Sequence, residues 1–166
     1  MYRAKSRNRK YKQGVYVIQN QEKYIGKIPV IYRSSWEYAF CKFCDINKNV
    51  IKWSSEGFYI PYHISNDIGQ IEIHRYYPDF YIETINPNDK ERHNRIVIEI
   101  KPKKETSQPI PPKKQTLKML ENYEYSLRMF KKNLHKWVHA KEWCDKRHIA
   151  FKIITEEWLK DKGLIP

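Results

Sequence analysis

Apolar residues recur at three- and four-residue steps in two stretches of the chain and alternate with polar ones in several others, and these two periods set the expected elements. Ser34-Ser35-Trp36-Glu37, followed by Tyr38, Ala39, Phe40, Phe43 and Cys44, has helical spacing, with a Ser three residues ahead of a Glu as in a capping box. Asn47 and Asn49 end that helix, and residues 50–60 are rich in β-branched and aromatic residues, which predicts strands. A turn around Asn66, Asp67 and Gly69 separates Tyr59–Ile64 from Ile71–Tyr76, so the two runs are expected to pair as a hairpin. Two further half-buried strands are predicted over 77–85 and 95–101, joined by a hydrophilic loop over 86–94. After Pro102, Pro109, Pro111 and Pro112, an amphipathic helix is predicted from about Lys113 to Arg147, with a break near Asn133 to His135 able to split it. Residues 149–155 read as a strand and 156–162 as a short helix. The order predicts an α/β fold in which a mixed β-sheet is flanked by helices, one of them a long C-terminal helical segment.

Composition fits that picture: 166 residues, 40% of them hydrophobic and 31% charged, suit one globular domain, expected over 14–166. Residues 1–13 carry Arg3, Lys5, Arg7, Arg9, Lys10 and Lys12 with little apolar anchorage. They read either as a solvated terminus or as a basic arm lying along a phosphate backbone. Lys and Arg number 32 against 19 Asp and Glu, a net charge of +13 that favours polyanions, nucleic acid first among them. No run approaches the roughly 18 apolar residues of a spanning helix, and the first residues lack a secretory pattern, so an intracellular protein with no membrane partner is expected. Three cysteines, an odd number, argue against a disulfide framework.

Alternation then points to chemistry. Asp79 shares a strand face with Tyr81 and Glu83, while Glu99 and Lys101 project together from the face opposite Ile96, Ile98 and Ile100. Two acids and a lysine can therefore meet across adjacent strands. A carboxylate set among apolar neighbours needs a compensating cation, and a hard divalent ion is one solution, with Lys101 the other charge. Mg²⁺, for which Mn²⁺ is expected to substitute, would polarise a phosphoryl oxygen while the lysine stabilises the charge that develops there. The structural alternative is a cross-strand ion pair of Lys101 with either acid.

Pro78-Asp79 followed some twenty residues later by Glu99-x-Lys101 resembles the core motif of the PD-(D/E)xK nucleases, the restriction-endonuclease-like superfamily. That resemblance implies a metal-dependent DNA endonuclease in which Glu37, on the helix ahead of the hairpin, is a third metal-linked acid beside Asp79 and Glu99. Glu37 also stands where a capping-box glutamate would. Tyr32-Arg33-Ser34-Ser35-Trp36-Glu37, residues 50–56, Ile60-Pro61-Tyr62 and His74–Phe80 look like the head-completion nuclease family of tailed bacteriophages, and cover most of residues 29–101. The layout, including Phe151 to Glu156, is also similar to the catalytic domain of TnsA transposon endonucleases. The first match implies action on packaged DNA ends during phage assembly, in the host cytoplasm or the virion, next to portal or neck proteins. Two other readings keep the basic surface: a non-catalytic DNA-binding assembly protein and a transposon-associated endonuclease.

Basic residues near the motif are candidate contacts to duplex DNA. Arg33, His74 and Arg75 lie close to the acids in sequence, and Lys103, Lys104, Lys113 and Lys114 flank the proline-rich loop; solvated strand ends and loops explain them otherwise. Glu56 is read either as a carboxylate supporting the site or as an edge charge. Cys41-x-x-Cys44 with Cys144-x-x-x-His148 has zinc-ligand types, although cysteines on helices also serve as small apolar residues.

Overall fold

The computed structural model describes residues 13–65 and 68–166, so the basic arm falls almost wholly outside the described residues. Two short strands, β1 (Gly14–Tyr16) and β2 (Val30–Tyr32), pair antiparallel ahead of α1 (Ser35–Ile46). The Ser34 half of the capping box closes as its spacing implies, while Glu37 reaches one residue further back. Ser34 Oγ accepts from the Glu37 amide at 3.1 Å, and the Glu37 carboxylate accepts from the Arg33 amide at 2.7 Å. The helix buries Phe40, Cys41, Cys44 and Asp45.

There follow β3 (Val50–Ser55), β4 (Ile60–Ser65), β5 (Ile71–Tyr76), β6 (Phe80–Asn86), β7 (Asp89–Ile100), α2 (Leu117–Asp145), β8 (Ala150–Ile154) and α3 (Glu156–Asp161). The central sheet runs β3-β6-β7-β8, with β3/β6 and β6/β7 antiparallel and β7/β8 parallel. The crossover carrying α2 makes the parallel pair possible. β4 and β5 pair as the expected separate hairpin, in register from Ile60↔Tyr76 to Ser65↔Ile71, and Asn66 and Asp67 of the expected turn lie outside the described residues.

Two core layers sandwich this sheet. Phe40, Trp53, Phe80, Ile82, Ile98, Ile100, Ile154 and Leu159 pack beneath α1 on one face. On the other, Val97 meets Trp137, Ala140 and Cys144 of α2 and Ile60, Tyr62 and Tyr76 of the hairpin. Each fully buried aromatic or aliphatic side chain contributes about 1.5–3 kcal/mol relative to exposure, so the two layers together hold the sheet in place. Alternation along β7 thus has a clear consequence: Ile98 and Ile100 serve the α1 layer, and Glu99 turns with Val97 toward α2 and the hairpin.

Three expectations need correction. The hydrophilic stretch 86–94 is not a loop but mostly strand, with Ile85↔His93, Thr84↔Asn94 and Glu83↔Arg95 paired around a turn at residues 86–89. Its polarity reports an exposed ribbon whose backbone is satisfied by the ladder. α2 runs unbroken through Asn133 to His135 for 29 residues and begins only at Leu117, capped by Thr116. The zinc set does not assemble. Cys41 and Cys44 lie in the α1 layer and Cys144 in the α2 layer, across the sheet from each other, and all three are buried free thiols.

Candidate functional site

The register Phe80↔Ile98 places Asp79, just before β6, opposite Glu99 near the end of β7. The Ile100 amide donates to Asp79 Oδ2 at 2.7 Å, which fixes that carboxylate against the neighbouring strand. Glu99 is 5% exposed and has both oxygens engaged: Lys101 Nζ stands 3.1 Å from Oε1, and the Tyr76 hydroxyl donates to Oε2 at 2.6 Å. The three residues of the motif therefore meet at one end of the sheet, on the face turned toward α2.

The electrostatics of this cluster are unbalanced. Burial, then the Glu99 charge, pushes the Asp79 carboxyl well above the usual carboxylate range; the Ile100 amide and Lys101 only partly offset this, and Glu37 adds to it. Burial works against the Lys101 ammonium too, yet Glu99 and Asp79 beside it outweigh that and raise its pKa, so Lys101 stays charged. Burial and the Glu99 carboxylate likewise raise the Tyr76 phenol, which keeps its proton and donates it to Glu99.

Crowded carboxylates of this kind suit a hard divalent cation, which would relieve the repulsion that raises Asp79. The donor chemistry thus fits such an ion at Asp79 and Glu99. Among the described residues no group of three His, Cys, Asp or Glu side chains stands ready to hold a metal. The expected third acid, Glu37, is not drawn into such a group. It sits on α1, in the layer across the sheet, and spends its carboxylate on the Arg33 amide and on Ser34 Oγ, 3.0 Å away. Its charge nonetheless reaches Asp79, and Glu37 and Lys101 border one cavity of about 580 Å³ that Arg33 and Lys104 also line.

The remaining candidates do not line this cavity, although one of them pairs with a residue that does. Glu56 pairs with Arg33 at 2.8 Å, and its own amide donates to the Asp79 carbonyl at 3.1 Å. It adopts a left-handed backbone at φ 45°, a conformation costing a non-glycine residue about 1 kcal/mol or more. Arg75 lies over the Tyr59 ring, 4.8 Å from its centre, and His74 contacts Glu72 at 3.1 Å. Lys103 is ion-paired with Glu157. Lys113 and Lys114 are exposed in the stretch before α2 and do not line this cavity.

Two residues near the acids escaped the sequence reading. Tyr76 ends β5 and is 4% exposed, its hydroxyl on Glu99. Lys136 of α2 is half-buried, with its ammonium 5.8 Å from the centre of the Tyr76 ring. Burial lowers its pKa and Lys132 and Lys101 lower it further, against the pull of Glu99 and Asp79. The only sequence signal was phase, since Lys136 adjoins Asn133, Trp137 and Ala140, the buried stripe of α2.

A family model described as TnsA-like endonuclease N terminal matches residues 47–156, a span that includes Asp79, Glu99 and Lys101 and leaves out Glu37. The chain is 33% identical over 151 residues to the head completion nuclease of Enterobacteria phage T4, covering 90% of this chain and 95% of that one. No solved structure matches the chain.

Proposed function

The chain belongs to the TnsA-like endonuclease family, with a phage head completion nuclease as a near full-length relative, and from that premise we propose a metal-dependent DNA endonuclease that hydrolyses phosphodiester bonds. The observation that carries the proposal is the juxtaposition of Asp79 and Glu99 with Lys101 at one end of the sheet, on strands that the family model spans. The expected arena is head completion, the role in the name of the relative aligned across nine-tenths of this chain, and we extend it to action on packaged DNA ends beside portal or neck proteins.

Asp79 and Glu99 would hold a divalent cation, Mg²⁺ or Mn²⁺, whose contribution is Lewis-acid charge at the phosphoryl group. Mg²⁺ commonly takes one or two protein carboxylates and fills its other positions with water and substrate oxygens, so two acids suffice. Glu37, like Glu99, accepts one bond on each oxygen and keeps a lone pair on each, with which it would join as a further ligand. The protein's own groups do the rest. The Ile100 amide and the Tyr76 hydroxyl lock the orientation of the two carboxylates, which lowers the reorganisation needed at reaction. Lys101, held as an ammonium, serves as a cationic donor to the attacked phosphate and its developing charge rather than as a general base. Arg33 and Lys104, on the cavity wall, would receive backbone phosphates, Arg33 in exchange for its pairing with Glu56, with His74, Arg75, Lys103, Lys113 and Lys114 as outer contacts to duplex DNA.

The test is cleavage of supercoiled and linear duplex DNA by purified protein in Mg²⁺ and in EDTA, beside Asp79→Ala and Lys101→Ala variants that fold and bind DNA. Metal-dependent nicking lost in both variants, by a factor on the order of 10² or more, is expected. Binding without cleavage in Mg²⁺ and in Mn²⁺ would instead favour a non-catalytic assembly role.

A further inference from the structure

Lys101 is not the only cation beside the acids, and the second has no structural employment. Lys136 approaches from α2, the layer toward which Glu99 turns, and lies over the ring of Tyr76, whose hydroxyl grips Glu99. Among the described residues Lys136 makes no hydrogen bond and no ion pair, whereas Lys101 is already committed to Glu99 at 3.1 Å. Its neighbours on the same helix, Lys131, Lys132 and His135, are exposed, so the helix offers fully solvated positions beside this half-buried one. A half-buried ammonium with a ring face as its sole partner gains the fold little, because burial penalises the charge and nothing neutralises it.

Charge balance shows what it can serve. Asp79, Glu99 and Lys101 sum to one negative charge, which the divalent cation proposed above turns into one positive; a phosphodiester cancels that, and its transition state brings one further negative charge. Lys136 is the uncommitted cation positioned to take that charge. We propose that Lys136 is a second cation of the catalytic centre, contacting the DNA phosphate at or next to the scissile bond from the α2 side, across the acids from Lys101. The inference rests on the nuclease reading above and adds to it a residue from outside the strand motif.

The experiment uses the full chain with Lys136→Met, Lys136→Arg and, as a charge-matched control remote from the site, Lys42→Met, an exposed residue of α1. Duplex binding is measured against salt in Ca²⁺, and single-turnover cleavage at saturating DNA in Mg²⁺, with thermal melting of each variant. The expected result for Lys136→Met is a slope of log K against log salt smaller by about one, as loss of a phosphate contact requires. Cleavage should also fall by at least about tenfold, the scale of losing one charge-assisted contact in the transition state. Melting should stay unchanged or rise, Lys136→Arg should recover most of the rate, and Lys42→Met should behave as wild type. A wild type that cleaves while Lys136→Met matches it in rate and slope overturns this inference alone. A rate loss that tracks a fallen melting temperature and is not restored by arginine overturns it as well. Absence of cleavage by the wild type in any metal would instead overturn the nuclease reading.

Discussion

Asp45 is fully buried near the end of α1, and the segment after β1 hangs from it. Its Oδ2 accepts from the Tyr16 hydroxyl at 2.9 Å and the Gln19 amide at 2.7 Å, and its Oδ1 accepts from the Asn20 amide at 2.9 Å. In Asp45→Asn the amide oxygen can keep one pair of donors, but the amide nitrogen must then face the Asn20 N–H. One bond is lost, a buried donor is left opposing another, and the two surviving bonds lose their charge assistance. At about 1–3 kcal/mol for an unsatisfied buried group and less for the weakened bonds, the expected cost is about 2–4 kcal/mol. For a chain of this length that is a fall in melting temperature of roughly 4–16 °C. Urea unfolding, followed by tryptophan fluorescence because Tyr16 and Tyr24 pack edge-on to Trp53, would measure it. Burial alone would raise the Asp45 pKa, but the donated bonds outweigh it and hold it below the usual value. Its contribution is therefore complete at neutral pH and fades as pH drops below the unfolded value of about 3.9, so the wild-type advantage should shrink on the acid side. A cost under about 0.5 kcal/mol at pH 7 would refute this account of Asp45 as the clasp between β1 and α1.

Two other outcomes follow from the same geometry. Glu37→Gln preserves the capping pattern, since glutamine can also accept from the Arg33 amide and bond Ser34 Oγ, so stability should change by less than about 0.5 kcal/mol, while Ser34→Ala costs about 1 kcal/mol; loss of cleavage in Glu37→Gln at unchanged stability would assign it to the metal, and full activity would confine it to the cap. Burial pushes the Cys41 thiol up to about 12 and the Cys144 thiol up to about 11, and Cys44 is buried beside Cys41 and also raised; none should react with Ellman's reagent in the native protein and all three should on unfolding, whereas rapid native modification would contradict the two-layer packing.

The part of the site that was legible before the structure is the part that strand periodicity controls. Alternation in Tyr77–Glu83 and Ile96–Lys101 correctly put Asp79 on one side of Phe80 and Glu99 with Lys101 opposite the isoleucines, because a period of two leaves each side chain only two faces to choose from. The capping box at Ser34 and Glu37 was equally local. What escaped depends on contacts between distant segments. Tyr76 gains its role only because the hairpin folds over the β7 face, and Lys136 looks like any basic residue on α2 until the helix phase is set against Tyr76. The polar ribbon at 86–94 was misread because hydrophilicity reports exposure, whereas pairing with β6 is what makes it strand. β1 and β2, three residues each, carry too short a pattern for alternation to identify.

The central claim, that Asp79 and Glu99 together form the metal seat of a phosphodiesterase, is tested most directly by anomalous diffraction from crystals grown with Mn²⁺ and a duplex oligonucleotide. The account predicts an anomalous peak within ligand distance of both the Asp79 and Glu99 carboxylates, with a phosphate oxygen beside it and Lys101 alongside. A peak elsewhere on the protein, or none at these carboxylates in crystals that have cut their DNA, would contradict it.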